Sequence, residues 1–351
     1  MSRDILSDLL RAVRLRGAFF FHIKGSDPWV VETSHSRDLI PRIMPGVEHM
    51  MEFHGIASGS CWATIIGGEP VRLHEGDVVL FPHGDAHVMS SAPGMRASIH
   101  DAGLQFAPRP PQLPYCLNVS GESAAVAQLD GGGGQKTTVV CGFLGCDASP
   151  FNPLLASMPR VLRMPGIATD SSSWVANFLR SVVEESSRKR PGGEAVLERM
   201  SEMLFVEVVR RYADTLPHGQ PGWLAALRDE AIGRVLALMH DRPAEPWSVQ
   251  RLSEEAAVSR STLHEHFVHF IGQPPMQYLT RWRMQLASAR LRDTDAKVIE
   301  IAFDVGYKNE AAFSRAFKRM VGVSPGAWRR LRRARMEADT TRSSGAAGYS
   351  S

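Results

Sequence analysis

The chain of 351 residues is long enough for two or three domains, and its 44% hydrophobic content is ordinary for a protein with apolar cores. The formal net charge is only +3, but the charge is spread unevenly along the chain. No apolar stretch approaches the roughly 20 residues that cross a bilayer, and the short apolar run 18–23 is not followed by a cleavage site, so we expect a cytoplasmic protein without a signal peptide or membrane span.

The first 145 residues are predicted to be rich in β-structure. An amphipathic helix is expected first, leading into a strand, and glycine or proline turns then separate several strand-like runs. These runs read MEFHGIA, SCWATII, DVVLFP, RASIHDAGL and KTTVVCGFL. Short strands with regular turn signals predict a sandwich or a small barrel. The run GGGG at 131–134 predicts a flexible surface loop between two strands.

One segment of this region, Gly76–His87, has the sequence GDVVLFPHGDAH. Its form, G-x5-P-x-G-x2-H, resembles the second signature of cupin barrels, in whose enzymes the histidine binds a metal. Glu52 and Gly59 fit part of the first cupin signature, but the H-x-H that should precede them is missing. Because a closed site for a first-row metal needs three or four ligands, we expect a barrel without a metal cofactor. The weak candidates for ligands are Glu52, His54 and His87, with Cys61 as an outside possibility.

The four cysteines, Cys61, Cys116, Cys141 and Cys146, form no C-x-x-C pair, which argues against a zinc ribbon. On an unbroken strand Cys141 and Cys146 would lie roughly 17 Å apart on opposite faces, too far for a disulfide unless the chain turns sharply at Gly145. The expected role of these cysteines is therefore that of small buried side chains.

Two helices are predicted after Pro165. Trp174, Phe178 and Val182 repeat at helical spacing up to Arg188, and 191–193 break the chain. A second apolar stripe then follows at Leu197, Met200, Leu204, Val208 and Tyr212. Two helices joined by a short turn form a helical hairpin. Its apolar stripes could form a dimer contact or simply cover the barrel.

The stretch from Trp247 to Arg330 contains the same pattern twice, about fifty residues apart. The first copy reads VQRLSEEAAVSRSTLHEHFVHFIG and the second VIEIAFDVGYKNEAAFSRAFKRMVG. Each copy has a short helix, a tight break at Val258-Ser259 or Gly306, and a second helix with a polar cap, which is the pattern of a helix-turn-helix. The expected inner residues are Val249, Leu252 and Ala256, then Leu263, Phe267 and Phe270, in the first copy, and Ile299, Ala302 and Phe303, then Phe313, Phe317 and Met320, in the second.

This region is also basic. Residues 222–335 hold 19 basic and 12 acidic side chains, a net charge of +7, whereas the remainder holds 21 basic and 25 acidic ones, a net charge of −4. A basic module beside an acidic remainder indicates binding to nucleic acid.

The run from LSEEAAVSRSTLHEHF through GQPPMQYLTRWRMQLASARL to IAFDVGYKNEAAFSRAFKRMVGVSPGAWR resembles the double helix-turn-helix domain of AraC-type transcriptional regulators. The resemblance implies seven helices in two subdomains, bridged by a long helix from about Met276 to Arg292. At 1.5 Å per residue that helix is about 25 Å long, which suits two recognition helices about one DNA turn, roughly 34 Å, apart.

The bases of double-stranded DNA would be read by the outer faces of the two recognition helices. The candidates are Arg260, Ser261, Thr262, His264 and Glu265 in the first helix, and Glu310, Ala311, Ser314, Arg315 and Lys318 in the second. Arg315 is the strongest of them, because an arginine can bind guanine O6 and N7 together. Glu310 could accept from a cytosine amine or serve only as an N-terminal helix charge, and the acidic Glu265 suggests weaker reading by the first helix.

Contacts to phosphates are expected from a second group of residues. These are Arg281, Asn309 and the helix start at Ser324-Pro325, while Arg283 is more readily explained as a packed structural residue.

The segment 139–164 resembles the end of the cupin-type sensor domain in a subgroup of AraC-type regulators, some of which use cysteines as sensors. Candidates for an effector or redox site are His54, Cys61, His87 and Cys141. No cysteine lies in 19–24, which weakens a two-cysteine mechanism.

The predicted fold is a multidomain α+β chain: a cupin-like barrel (1–165), a helical hairpin (166–216), a linker (217–222), an all-α double helix-turn-helix domain (223–335) and a disordered tail (336–351). We expect a homodimeric regulator, activating by family resemblance, that binds DNA and RNA polymerase and answers to a small-molecule or redox signal. It should be neither an enzyme nor dependent on a cofactor. Two alternatives stay open: a cupin metalloenzyme fused to a DNA-binding domain, and a regulator without an effector.

Overall fold

The computed structural model describes residues 4–97, 114–121, 123–125, 134–170, 173–188 and 190–334. The elements in chain order are α1 (Ile5–Ala12), β1 (Arg16–Thr33), α2 (Ser36–Ile43), β2 (His49–Ser58), β3 (Ser60–Ile65), β4 (Val71–His74), β5 (Val78–Phe81), β6 (His87–Ser90), β7 (Tyr115–Gly121), β8 (Ser123–Ala125), β9 (Lys136–Cys146), α3 (Pro153–Ser157), β10 (Leu162–Met164), α4 (Trp174–Arg188), α5 (Gly193–Thr215), α6 (Trp223–Ala226), α7 (Glu230–Asp241), α8 (Val249–Glu255), α9 (Arg260–Ile271), α10 (Pro275–Asp293), α11 (Val298–Asp304) and α12 (Glu310–Val321). A last helix covers 325–334.

These elements form two compact units. The barrel unit contains Leu15–Cys146 and Met158–Asp214, and the C-terminal unit contains the other described residues, including α1 and the segment Asp147–Ser157. In the part of the chain that is described, no helix is long and apolar enough to cross a membrane.

The barrel unit is one curled sheet with the strand order β10-β5-β2-β9-β1-β6-β3-β4, in which β7 also pairs with β1, and β8 pairs with β7. Strand β1 makes the curl possible, because its first part pairs with β9 and its last residues, Val30–Thr33, pair with β6. Neighbours along this order are antiparallel, while β7 runs parallel to β1. This sheet confirms the predicted barrel.

Four of the five predicted strand-like runs are confirmed as β2, β3, β5 and β9. The run RASIHDAGL and the GGGG segment fall largely outside the described residues, as does the predicted tail after 335. Strands β4, β6, β7, β8 and β10 were not predicted. For all of these except β7, three or four residues are too few for alternation to be visible in the sequence.

The predicted helical hairpin is α4 and α5, and it covers the outer face of the sheet. Phe178 of α4 lies on Phe53 of β2, with ring centroids 6.1 Å apart. At the start of β1, a Cβ on Gly17 would lie 2.6 Å from the Glu198 carbonyl oxygen of α5, so that only glycine allows this approach. The covering role is therefore present in the structure, whereas dimer formation stays a prediction.

The C-terminal unit contains the predicted seven helices between residues 230 and 334, all of which are described. The bridging helix is α10, whose 19 residues correspond to about 28 Å. Pro274 is its N-cap and Pro275 its first residue, one position before the predicted start at about Met276. Proline is well suited to the first position of a helix, because the N–H that it lacks would have no hydrogen-bond acceptor within the helix at that position.

Two segments that precede and follow barrel strands are docked on α10. The buried side chain of Gln285 donates from Nε2 to the Ala12 carbonyl oxygen at 3.0 Å and accepts at Oε1 from the Phe151 N–H at 3.0 Å. Arg292 forms a buried ion pair with Asp147. The helix α1 and residues 147–157 are therefore structural parts of the C-terminal unit.

Candidate functional sites

The two helix-turn-helix copies are α8–α9 and α11–α12, and their turns are built alike. Ala257 has a φ of 54° and Gly306 a φ of 83°, so a left-handed residue reverses the chain in each copy. The N–H after that residue returns to the first helix: Val258 donates to the Ser253 carbonyl oxygen at 3.0 Å, and Tyr307 to that of Ala302 at 2.8 Å. The duplication read from the sequence is thus also a duplication of backbone conformation.

Both second helices begin at the predicted polar caps. The Ser259 side chain accepts from the Thr262 N–H at 3.1 Å, and Asn309 accepts from the Ala312 N–H at 2.8 Å. The inner stripes of α9 and α12 are also as expected: Leu263, Phe267, Phe270, Phe313 and Phe317 are buried, and Met320 is half-buried. Burial of these faces fixes which residues point outward.

The predicted inner face of α11 is wrong in part. Ala302 is buried, but Ile299 is 39% exposed and Phe303 is 52% exposed. The residues that pack inward with Ala302 are Ile301 and Val305. A helix of seven residues is too short for its apolar spacing to define a single inner face. Packing against α10 and α12 buries the face that contains Ile301, Ala302 and Val305.

The outer faces of α9 and α12 present the predicted base-reading residues. Arg260, Ser261, His264, Glu265, Glu310, Ala311, Arg315 and Lys318 are exposed, and Thr262 and Ser314 are half-buried. Among the described residues, the Arg315 guanidinium makes no hydrogen bond or ion pair, so its donors are free for a partner. The hydroxyl groups of Ser261 and Thr262 instead lie 2.9 and 2.8 Å from Ser259 Oγ, within the cap.

The candidates for phosphate contacts differ in how free they are. Arg281 donates to Gln273 Oε1 at 3.1 Å and lies 5.2 Å from the Phe151 ring centroid, so part of its donor capacity is used within the chain. Arg283 donates to the carbonyl oxygens of Pro243 and Glu245 at 2.7 and 2.8 Å, as befits a packed structural residue. Ser324 caps the last helix by accepting from the Ala327 N–H at 3.3 Å.

Three weak metal candidates from the sequence meet inside the barrel. One ligand atom each from Glu52, His54 and His87 lie within 4.8 Å of one another, and all three side chains are buried. Glu52 and His54 project from the same face of β2, while His87 comes from the start of β6. The two histidine Nε2 atoms are 2.8 Å apart, and the Glu52 oxygens lie 3.6 and 3.7 Å from them.

Each histidine is held from behind by a hydrogen bond at Nδ1. His87 Nδ1 lies 2.9 Å from the Asp85 carbonyl oxygen, which can only accept, so this nitrogen carries the proton and Nε2 carries a lone pair. His54 Nδ1 lies 2.9 Å from Cys141 Sγ on the neighbouring strand β9. The His87 ring also stacks on Phe81, with centroids 3.8 Å apart and planes at 12°.

Burial dominates the electrostatics of this cluster. It raises the pKa of the Glu52 carboxyl well above its ordinary value and lowers the pKa of His87 to about 4. Burial also lowers the pKa of His54 well below its ordinary value, and the neighbouring His87 adds to this effect. Two neutral imidazoles and a carboxyl group therefore face one another in an apolar shell, and Glu52 Oε1 has no hydrogen-bond partner in the part of the chain that the structure describes.

The donor set at this place fits a first-row divalent cation. Two imidazole nitrogens and one carboxylate are a common ligand set for zinc and for non-haem iron. A cation would also give the unpartnered Glu52 oxygen a partner and so remove the cost of burying that atom alone.

The thiols predicted as redox candidates lie close to this cluster but are not activated. The four cysteines are free, and Cys61, Cys141 and Cys146 are buried. Burial, followed by Asp77, raises the pKa of Cys61 to about 12, and burial raises the pKa of Cys141 well above its ordinary value. Oxidation of a cysteine proceeds through its thiolate, which this environment disfavours.

Sequence reasoning missed the residues that position the cluster. Neither the ring of Phe81 nor the Asp85 carbonyl oxygen was singled out, although both lie in the GDVVLFPHGDAH segment that pointed to His87. The contact between His54 and Cys141 follows from their direct pairing across β2 and β9, a register that spacing in the sequence does not reveal.

Comparison with known proteins matches both parts of the chain. A sequence model of the cupin family matches residues 4–214, and one described as a helix-turn-helix domain matches residues 252–331. A protein of Streptomyces antibioticus named as an AraC-like transcription regulator is 30% identical over 328 residues, which cover 93% of this chain and 98% of the relative. The HTH-type transcriptional regulator AlkR of Acinetobacter baylyi is 26% identical over 327 residues, covering 92% and 97%. The crystal structure of the DNA-binding domain of AdpA in complex with a target DNA is 32% identical, covers 30% of this chain and 96% of that chain, and gives a TM-score of 0.29.

Proposed function

Because this chain belongs to the AraC-like transcription regulators, we propose that it activates transcription from specific DNA sites in response to a signal received inside its barrel. DNA reading is assigned to the outer faces of α9 and α12. The observation that carries this assignment is the exposed Arg315 guanidinium, unpaired among the described residues, on a helix whose opposite face is buried. An arginine in this setting can bind both acceptors of a guanine in the major groove.

The base-reading assignment extends to both helices. Arg260 and His264 on α9, and Ser314 and Lys318 on α12, lie on the outward faces with Arg315. Glu310 stands at the first position of α12, where its charge also favours the helix N-terminus. Asn309 Oδ1 accepts from the Ala312 N–H as the N-cap, so a phosphate contact would have to come from the side-chain NH2 group of Asn309.

The signal is assigned to the barrel interior around His54, His87 and Cys141. Polar groups buried inside the curled sheet are costly to desolvate, and this cluster is one place where the barrel bears that cost. The raised pKa of Cys141 favours a bound effector over thiol oxidation as the signal, since the thiolate is disfavoured there.

A homodimer in the cytoplasm, acting on RNA polymerase, completes the proposal. The support for a dimer is the exposed apolar surface of α5, where Val196 is 57% and Met203 is 55% exposed. A role as a regulator rather than an enzyme is supported by the relatives, which are named as regulators over nearly their whole length. A cupin enzyme fused to a DNA-binding domain would instead have to convert a substrate at the buried cluster.

In-vitro transcription tests the sign of the regulation. The template is a promoter that carries a site which the protein selects from random DNA, with RNA polymerase present at a subsaturating concentration. Added protein should raise the amount of transcript several-fold, and Arg315→Ala should not. A fall in transcript with the wild-type protein would make it a repressor, and no change on a bound template would contradict regulation through this site.

A further inference from the structure

The buried cluster brings three possible metal ligands, Glu52, His54 and His87, to one place. His87 Nε2 carries a lone pair, because Nδ1 donates to the Asp85 carbonyl oxygen. If His54 also has its proton on Nδ1, two lone pairs face each other across 2.8 Å, with the carboxylate oxygens of Glu52 beside them. Three electron-pair donors that point at one place are the arrangement that metal ions occupy in proteins.

We propose that Glu52, His54 and His87 bind a first-row divalent cation, and that Cys141 positions His54 for this role without being a ligand. Glu52 Oε1 is a second observation in favour of the site, because it is buried and makes no hydrogen bond among the described residues. The sequence did not favour a metal, since the first cupin signature lacks its H-x-H. In this chain, Glu52 and His54, two residues apart on β2, would supply the two neighbouring ligands that the H-x-H pair supplies in that signature.

Cys141 can serve His54 in both of its tautomers. Without a cation, the thiol donates to Nδ1 and the proton on Nε2 is shared with His87. With a cation on Nε2, Nδ1–H donates to the sulfur, and the thiol hydrogen can turn to the Val139 carbonyl oxygen, 3.9 Å from Sγ. A thiol both donates and accepts, so it holds the ring in one orientation while the proton changes place. Groups that hold the far nitrogen of a histidine ligand in this way commonly contribute 10- to 100-fold in metal affinity.

The chemistry of the site limits which cation it takes. Imidazole nitrogens and a single carboxylate suit zinc, iron, manganese, nickel or copper in their divalent states, while calcium and magnesium prefer sites made of oxygen. The rings of Phe81 and Phe143 belong to the surrounding apolar core and keep water from competing. Three protein ligands leave at least one coordination position, which an effector could fill.

The metal site deepens the proposed sensing role of the barrel. Only its effect on transcription rests on the proposed function. Metal binding can be measured without DNA. A failure to bind metal would therefore leave the assignment of α9 and α12 to DNA untouched.

The test uses the full-length protein, stripped of metal with a chelator and dialysed. Zinc is titrated in competition with a chromophoric chelator, and cobalt is titrated with its visible absorption as the readout. We expect one zinc per chain, and a loss of at least 100-fold in affinity for Glu52→Gln and for His87→Gln. The control is His49→Gln, a half-buried histidine on the same strand but outside the cluster, which should bind as the wild type does.

Thermal unfolding of each variant shows that it is folded before its affinity is compared. Absence of stoichiometric binding to the wild type, or an unchanged affinity in folded Glu52→Gln, would overturn the metal site.

The positioning role of Cys141 has its own outcome. Cys141→Ala should lower zinc affinity about 10- to 100-fold, and Cys141→Ser, which keeps a donor and an acceptor, should restore most of it. The cobalt complex of the wild type should lack the near-ultraviolet band that marks a thiolate–cobalt bond. Equal affinities for wild type and Cys141→Ala, or the presence of that band, would contradict a positioning role.

Discussion

At the scale of single residues, Arg315 leads to the clearest expectation for DNA. Arg315→Ala should cost about 1–3 kcal/mol in binding to a selected site, because a bidentate contact to guanine is lost. Binding to random DNA should weaken much less. The measurement is fluorescence anisotropy of both duplexes with the full-length protein. Equal losses on the two duplexes would instead identify Arg315 as a phosphate contact.

Arg234→Ala is the matched control for this substitution. Arg234 is also exposed and also cationic, but it lies on α7, outside both second helices. Its removal should change the affinity for the selected site little, so that the loss of one positive charge is separated from the loss of base reading.

The residues of the buried cluster illustrate what sequence can and cannot reveal at this scale. Spacing in known signatures pointed to Glu52 and His87 as metal candidates, His54 was added as a nearby histidine outside those signatures, and the structure brings these three together. The same reasoning could not find the contact between Cys141 and His54, because they are 87 residues apart and meet only through strand register. Burial of the thiols was foreseen, but its effect on their pKa needed the folded environment.

At the scale of elements, the two turns lead to a matched pair of substitutions. Ala257 occupies a left-handed conformation that costs an L-residue about 1–2 kcal/mol, whereas Gly306 adopts it freely. Ala257→Gly should therefore raise the free energy of unfolding by up to about 1 kcal/mol. Gly306→Ala should lower it by more than the backbone cost, because a Cβ would lie 2.7 Å from the Ala244 carbonyl oxygen and 2.9 Å from Arg283 Nη2.

Urea unfolding of the full-length variants measures both effects, with the unfolding transition of the C-terminal unit as the signal. A loss of stability on Ala257→Gly, or a neutral Gly306→Ala, would show that the two turns are not held in the way described.

The elements themselves were largely predictable, and the misses have physical causes. The boundaries of α10 and the caps of α9 and α12 follow from proline and polar residues at helix starts, whose effects are local. The inner face of α11 was misassigned because seven residues carry too little periodicity to choose between stripes. The short strands β4, β6 and β10 depend on their neighbours in the sheet, which local sequence does not specify.

At the scale of the whole molecule, each compact unit is built from segments that are not contiguous in the sequence. Residues 147–157 follow β9 directly, yet they belong with α10 in the C-terminal unit. Gln285 joins them to α1 over sequence separations of 134 and 273 residues. No local pattern could have predicted this, since the interaction exists only after both segments have reached α10.

Gln285→Ala should destabilise the C-terminal unit by about 1–3 kcal/mol, because it leaves the Ala12 carbonyl and the Phe151 N–H without their partner in a buried place. Gln277→Ala, an exposed glutamine on the same helix, should change stability by less than about 0.5 kcal/mol. Differential scanning calorimetry of the full chain compares the two. Equal small effects would mean that the docked segments contribute little to the unit.

The central claim, that this chain is a sequence-specific regulator with two reading helices, is tested most directly by selection of bound duplexes from a random library. The full-length protein should enrich a motif with two conserved blocks about one DNA turn apart, and binding should weaken steeply with salt as phosphate counterions are released. Arg315→Ala should lose the preference for guanine at one position within one block and leave the other block unchanged. Recovery of no motif, with binding that is indifferent to both sequence and salt, would contradict the account.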